Sequence, residues 1–228
     1  MSKKSSPVIR DPLTDEELWF LSADDFVRLK LSDDEKSRLR TINRQKELER
    51  EDRGQRLSEE EAGLVAQLRE AGCAVESVWD LVNTSDRYSE AIPILLDHLR
   101  RPYSDRTRSG IARSLAVRDR QVQEAWSTLA EQYRQEGWGK GRVAPGDVRD
   151  YELGAKAGLA CALSVAVTDA NLDDLIRLIL DPSHGPSRLL LLSALRRRRS
   201  KSAKVADIIV QLSVDPQFSK EIASWRTR

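Results

Sequence analysis

The chain has 228 residues, enough for one medium domain or two small ones whose core needs neither disulfides nor metals. Its 39% apolar and 33% charged residues, with no apolar run near the roughly 18 residues of a membrane span, point to a soluble, cytoplasmic protein. The net charge of +1 is unevenly divided: residues 11–61 carry 16 acidic and 10 basic side chains, whereas residues 183–228 carry 3 and 10. Such a basic end suits an acidic partner or nucleic acid, or the two ends form solvated faces that partly neutralise each other on folding.

Residues 1–12 hold Ser, Lys and Pro without apolar periodicity and are expected to be a disordered tail. Their cationic start is no export signal, because Pro7, Arg10, Asp11 and Pro12 leave no apolar stretch behind it. Thr14 followed by Asp15, Glu16 and Glu17 is an N-cap with an acidic first turn, so a short helix carrying Leu18, Trp19 and Leu21 is expected there. Ser32-Asp33-Asp34-Glu35 repeats the signal and opens a long, charged helix whose thin apolar edge is Leu39, Ile42 and Leu48, a spacing that does not sustain a coiled-coil seam. Together, residues 13–57 form a charged helical extension.

From residue 58 the character changes. Ser58-Glu59-Glu60-Glu61 is expected to start a new helix carrying Leu64, Val65 and Leu68, ended by Gly72 in a left-handed cap. Further helices are marked by Val75, Val78 and Val82, then by Ala91, Ile92, Leu95 and Leu99 before Pro102. No stretch shows the alternation of a strand, so the chain is expected to be all-α, with no strand pairing over 58–225. Cys73 and Cys161 stand apart with no second ligand at zinc spacing and are expected in the core.

A repeat organises the rest. Arg108, Ile111, Ala112 and Leu115 fall at offsets 0, +3, +4 and +7; Lys156, Leu159, Ala160 and Leu163 do the same, as do Arg188, Leu191, Leu192 and Leu195. Each is followed by a second amphipathic helix, so the units are helical hairpins. Neighbouring hairpins must cover one another's apolar faces, which requires about three or more units. The starts are 48 and 32 residues apart, and the longer interval contains Gly137–Gly146. Arg101-Pro102-Tyr103-Ser104-Asp105 through Leu115, and Asp181-Pro182 through Arg188 to Leu195, resemble HEAT-repeat proteins, particularly the short bacterial HEAT-like repeats. That resemblance covers residues 58–225 and implies a short right-handed α-solenoid of stacked HEAT-like hairpins, making 58–228 the repeat domain. In that family an Asp and an Arg often form a ladder between repeats, and Asp150 with Lys156 and Asp181 with Arg188 look like degenerate versions of it. Lys156 cannot reproduce a bidentate guanidinium fork.

Chemistry-bearing constellations are few. His98, in Leu95-Leu-Asp-His-Leu-Arg100, is expected on a polar helix flank, and His184, in Asp181-Pro-Ser-His-Gly-Pro186, in a turn. Gly137-Trp-Gly-Lys-Gly-Arg142 follows a helix and lacks the ending of a P-loop, so a loop is expected rather than a nucleotide site. No catalytic residue, metal or cofactor is assigned. Two arginine groups stand out, Arg100–Arg120 around one hairpin junction, including Arg113, and Arg196, Arg197, Arg198 and Arg199 at a helix end. Arginine forks suit phosphate and carboxylate, although cations at a helix C-terminus are also favourable without a ligand. Trp79 and Trp126 keep core spacing, whereas Trp138 lies in the Gly-rich loop, expected to be mobile, either as an exposed contact anchor or folded back into a gap.

The function expected is that of a noncatalytic HEAT-repeat module, of scaffold or toxin-neutralising type, that binds another protein with an acidic surface and no membrane. It would use its concave face and the 137–146 loop through Trp138, Lys140 and Arg142, with Arg113 and Arg196–Arg199 as further contacts. The alternative is a HEAT-like nucleic-acid-binding protein or alkylated-base DNA glycosylase, for which Trp79-Asp80 and the arginines would be relevant.

Overall fold

The structure, a computed structural model, describes residues 10–225. The tail expected over 1–12 therefore lies largely outside the described residues. These residues are mostly helical, with thirteen α-helices and one pair of two-residue strands. They divide into two compact units, residues 1–55 and 56–228. Among them no helix is long and apolar enough to cross a membrane.

In the first unit, α1 (Asp15–Trp19) begins with a capping box in which Thr14 and Glu17 satisfy each other's backbone N–H groups. Helix α2 (Ala23–Arg28) is capped by Ser22. Helix α3 (Asp33–Glu70) starts at Ser32, whose hydroxyl accepts from the Glu35 N–H while the Glu35 carboxylate accepts from the Ser32 N–H at 2.7 Å. Glu35 also accepts from the Leu13 N–H at 2.8 Å and pairs with Arg10 at 2.8 Å. These backbone donors and then the Arg10 guanidinium hold its carboxyl down at about 2. Leu18, Leu31 and Ile42 are buried around this knot.

The two helices expected on either side of residue 58 are one. Gly54 and Ser58 sit among Glu, Arg and Gln, strong helix formers, and neither residue alone stops a helix that has its backbone hydrogen bonds on both sides. The helix ends at Gly72, whose φ of +88° is the left-handed cap expected there.

The second unit holds α3 from residue 56 onward and the remaining described residues. Its elements are α4 (Trp79–Asn83), α5 (Ile92–His98), α6 (Asp105–Ser114), α7 (Arg120–Glu124), α8 (Trp126–Gln135), β1 (Lys140–Gly141), β2 (Tyr151–Glu152) and α9 (Ala155–Ala166). They continue with α10 (Leu172–Leu180), a 3-10 turn (Pro182–Ser187), α11 (Arg188–Arg196), α12 (Ala203–Leu212) and α13 (Pro216–Ser224). Helix α9 lies at the centre, packed by α6 on one side and by α11 and α8 on others. It buries nine of its twelve residues. Its approach to α6 depends on small side chains: a Cβ on Gly158 would stand 3.0 Å from both the Ala112 Cβ and the Ser109 carbonyl. Leu115, Leu163 and Leu195, the last members of the three repeated patterns, are fully buried in one core cluster.

The three cations that open those patterns do one job. Arg108 donates to the Leu99 and Arg101 carbonyls, beyond the end of α5. Lys156 donates to the Tyr133 and Glu136 carbonyls at the end of α8, at 2.9 and 2.8 Å. Arg188 donates to the Ile179 carbonyl at the end of α10. Each cation thus donates to carbonyls at or just beyond the end of the preceding helix. Arg108 also pairs with the Glu136 carboxylate at 2.8 Å, whereas the carboxylate partners expected for Lys156 and Arg188 are corrected. Asp150 is exposed, and Asp181 accepts from the Ser183 N–H within its own turn. Asp105 links α6 to α9, accepting from the Gly154 and Ala155 N–H groups at the start of α9 at 2.7 and 2.9 Å. Glu60 likewise accepts from the Ser104 N–H and hydroxyl ahead of α6.

Three further expectations are corrected. Strand pairing does occur: β1 and β2 are antiparallel, with Lys140 opposite Glu152 and Gly141 opposite Tyr151. A Gly-rich segment outside any helix still has backbone donors and acceptors to satisfy, and a short ribbon does so. His98 lies in the core, fully buried against Tyr103, because the α5 face it shares with Leu95 is packed. Cys73 and Cys161 are only partly buried.

Candidate functional site

The segment Gly137–Gly146, expected to be mobile, is tied down at several points. Besides the ribbon, Arg106 N–H donates to the Val143 carbonyl at 2.8 Å, Leu153 N–H to the Gly139 carbonyl at 2.8 Å, and Ala144 N–H to the Asp147 carboxylate at 2.8 Å. This places Trp138 beside the 3-10 turn before α11. Its indole N–H donates to the Ser183 carbonyl at 3.0 Å, and its ring lies against the backbone of Gly185. Gly185 has φ +60° and ψ −147°, a conformation open essentially to glycine alone. Trp138 nevertheless keeps 53% of its surface exposed. Both sequence readings of this residue hold in part: it folds back onto the turn, and one face stays open.

The open face is one wall of a cleft of about 490 Å³ lined by Trp138, Lys140, Leu153, Ala157, Leu189 and Leu190, with Glu152, Lys156, Pro186 and Ser187 also reaching it. Leu189 and Leu190 are over one-third exposed, and the lining is mostly apolar. Behind the cleft the structure is braced by buried polar contacts. The Tyr133 hydroxyl lies 2.8 Å from the Ser187 Oγ, and Ser187 donates to the His184 carbonyl at 2.8 Å. Burial pushes the Tyr133 phenol up to about 12 and pulls the Lys156 ammonium and His184 imidazole below their ordinary values. The Ser187 hydroxyl is held by a carbonyl rather than by a base, so this group serves as bracing. Among the described residues, no group of three or more His, Cys, Asp or Glu side chains could hold a metal ion.

Of the residues singled out in the sequence, Trp138 and Lys140 share this cleft. Arg142 is exposed in the same segment but does not line it. Arg113 is half-buried on α6, its Cγ at 3.4 Å from the position of a Cβ on Gly158. Arg196 lies over the Trp225 ring, 5.6 Å from its centroid. Arg197 donates to the Ser164 carbonyl, and Arg198 donates to the Val167 carbonyl at 2.7 Å and approaches Asp169 at 3.4 Å. Arg199 is exposed. The Arg196–Arg199 run is therefore split, with Arg197 and Arg198 capping the end of α9. Trp79 is covered by the Arg106 guanidinium 3.6 Å from its ring centroid, and Asp80 accepts from the Glu76 and Ser77 N–H groups. Several other arginines are paired with carboxylates, as in Arg101 with Asp97 and Arg134 with Asp174.

Leu189, Leu190 and Gly185 were missed by the sequence reading. Four consecutive leucines, Leu189–Leu192, were the available signal, since a helix cannot turn all four to one side. Comparison with family models, curated proteins and solved structures finds no match to this chain.

Proposed function

We propose that the chain is a noncatalytic, HEAT-like α-solenoid that binds another protein, and that the Trp138 cleft is its contact site. Support for the repeat architecture comes from α6, α9 and α11 packing in chain order and from Arg108, Lys156 and Arg188 making equivalent contacts at equivalent positions. The observation that carries the contact site is a half-exposed tryptophan held rigidly by Ser183 and Gly185 beside two exposed leucines. A rigid indole offers apolar area with few rotors to freeze on binding.

The partner expected presents an aliphatic or aromatic side chain flanked by acidic residues. The apolar lining recognises the side chain; Lys140 at the edge of the cleft and the exposed Arg142 form no ion pair among the described residues and favour the acidic flank. The test is affinity capture from the native host with the wild-type chain and Leu190→Asp side by side, then direct titration of the purified partner. Expected is at least an about tenfold weaker affinity for Leu190→Asp and Trp138→Ala, equivalent to roughly 1.4 kcal/mol, with partner binding falling as ionic strength rises. A partner bound equally well by both variants would place the contact elsewhere.

A further inference from the structure

A second cleft, sharing no lining residue with the first, lies at the other ends of the same helices. It holds about 370 Å³ and is lined by Arg118, Gln123, Val165, Val167, Asp169, Arg197, Arg198 and Lys201. Three successive connections converge there: Arg118 follows α6, Val167 and Asp169 follow α9, and Arg197, Arg198 and Lys201 follow α11. We propose that this cleft binds a phosphoryl group, a tetrahedral dianion of the phosphate-monoester or pyrophosphate type.

The charge balance is the first argument. Four cations face one carboxylate, and that carboxylate, Asp169, is almost fully exposed and among the described residues pairs with Arg198 alone, at 3.4 Å. Part of this charge is structural. Arg197 and Arg198 donate to the Ser164 and Val167 carbonyls and so close the end of α9. That role explains two of the cations and holds their guanidinium groups in place. It does not explain Arg118 and Lys201, whose side chains make no hydrogen bond or ion pair among the described residues and yet border the same cleft. Like charges brought together repel one another: burial chiefly, and to a lesser degree Arg198 and Arg118, lower the proton affinity of the Arg197 guanidinium. An anion seated among them removes that repulsion.

The lining then selects the kind of anion. Apart from Asp169 every polar side chain in it can donate a hydrogen bond, Gln123 included, and arginine forks match the oxygens of a phosphoryl group two at a time. No aromatic ring lines the cleft, so nothing there stacks a base. The cations meet at one point instead of forming a track, while other arginines are engaged with carboxylates, which disfavours a run of phosphodiesters. The ligand is thus either a free phosphate species or a phosphorylated side chain on another protein.

Because Arg118 and Lys201 hold nothing else in place, they are the residues to change. The full chain is titrated calorimetrically with pyrophosphate, with a phosphoserine peptide, with the same peptide unphosphorylated, and with duplex DNA, for the wild type and for Arg118→Gln with Lys201→Gln. Expected is binding of at least one phosphorylated probe, weakened about tenfold or more in the variant and by added salt, at an unchanged melting temperature. Tighter binding of the peptide than of pyrophosphate identifies a protein-borne phosphoryl group, and the reverse a free phosphate. No binding of either phosphorylated probe, equal binding of the unphosphorylated peptide, tighter binding of DNA than of both, or a variant that binds as the wild type does would overturn the proposal.

Discussion

Trp138 rests on the backbone of Gly185 so closely that a Cβ built there would lie 2.7 Å from two of its ring carbons. The contact joins a loop to a turn 47 positions later and fixes the orientation of the exposed indole face. Gly185→Ala therefore meets two obstacles, the overlap and a φ of +60°. A loss of about 1 to 3 kcal/mol in stability is expected, together with a red-shifted tryptophan emission as Trp138 is displaced. Unchanged denaturation midpoint and emission would show that the indole does not rest there.

Core and cleft leucines separate cleanly on the same helices. Leu163→Ala and Leu195→Ala, at fully buried sites, should each cost about 2 to 5 kcal/mol. Leu190→Asp, at a site 39% exposed, should cost less, about 1 kcal/mol, while weakening partner binding about tenfold or more. Chemical denaturation of the three variants checks the order.

The basic run near the end of α11 should behave as two kinds of residue. Arg197→Ala with Arg198→Ala leaves the Ser164 and Val167 carbonyls without their donors, and a loss of about 1 to 3 kcal/mol is expected. Arg199→Ala, an exposed site, should be silent in thermal unfolding. Equal melting temperatures for both would mean that the two caps contribute nothing.

Stability should fall with acid in two separate windows. Burial lowers the pKa of both His98 and His184 from the ordinary 6.5. The unfolded chain then binds more protons than the folded one as pH drops below about 6.5, so folding weakens there. Glu35, held at about 2 in the folded state against an ordinary 4.5, stabilises above that ordinary value and loses its contribution as pH falls from about 4.5 towards about 2. Urea midpoints measured across pH should show both steps. His98→Asn should reduce the first and leave the second, and Glu35→Gln the converse.

Periodicity alone located the three core patterns at Arg108, Lys156 and Arg188, because a helix repeats every 3.6 residues and its buried face leaves a local imprint. The mostly helical character, the caps at Thr14 and Ser32 and the left-handed Gly72 were legible for the same reason: each depends on neighbours within a few positions. What the three cations bond to was not local. Arg108 reaches nine positions back, Lys156 reaches 20 and 23, and Asp105 satisfies N–H groups 49 and 50 positions ahead. The carboxylates expected beside Lys156 and Arg188, Asp150 and Asp181, were therefore misplaced, and the one beside Arg108, Glu136, comes from 28 positions ahead. His98 stands beside Asp97 and Arg100 in sequence, so its flank of α5 reads as polar, and only packing against Tyr103 buries it. Trp138 stayed undecided between anchor and plug, since its environment is made by Gly185 and Leu190, contributed by a later turn and helix. Tertiary packing alone brought those residues to one cleft and drew Arg118 to Arg197, because only the packing of one helix against another sets which distant ends meet.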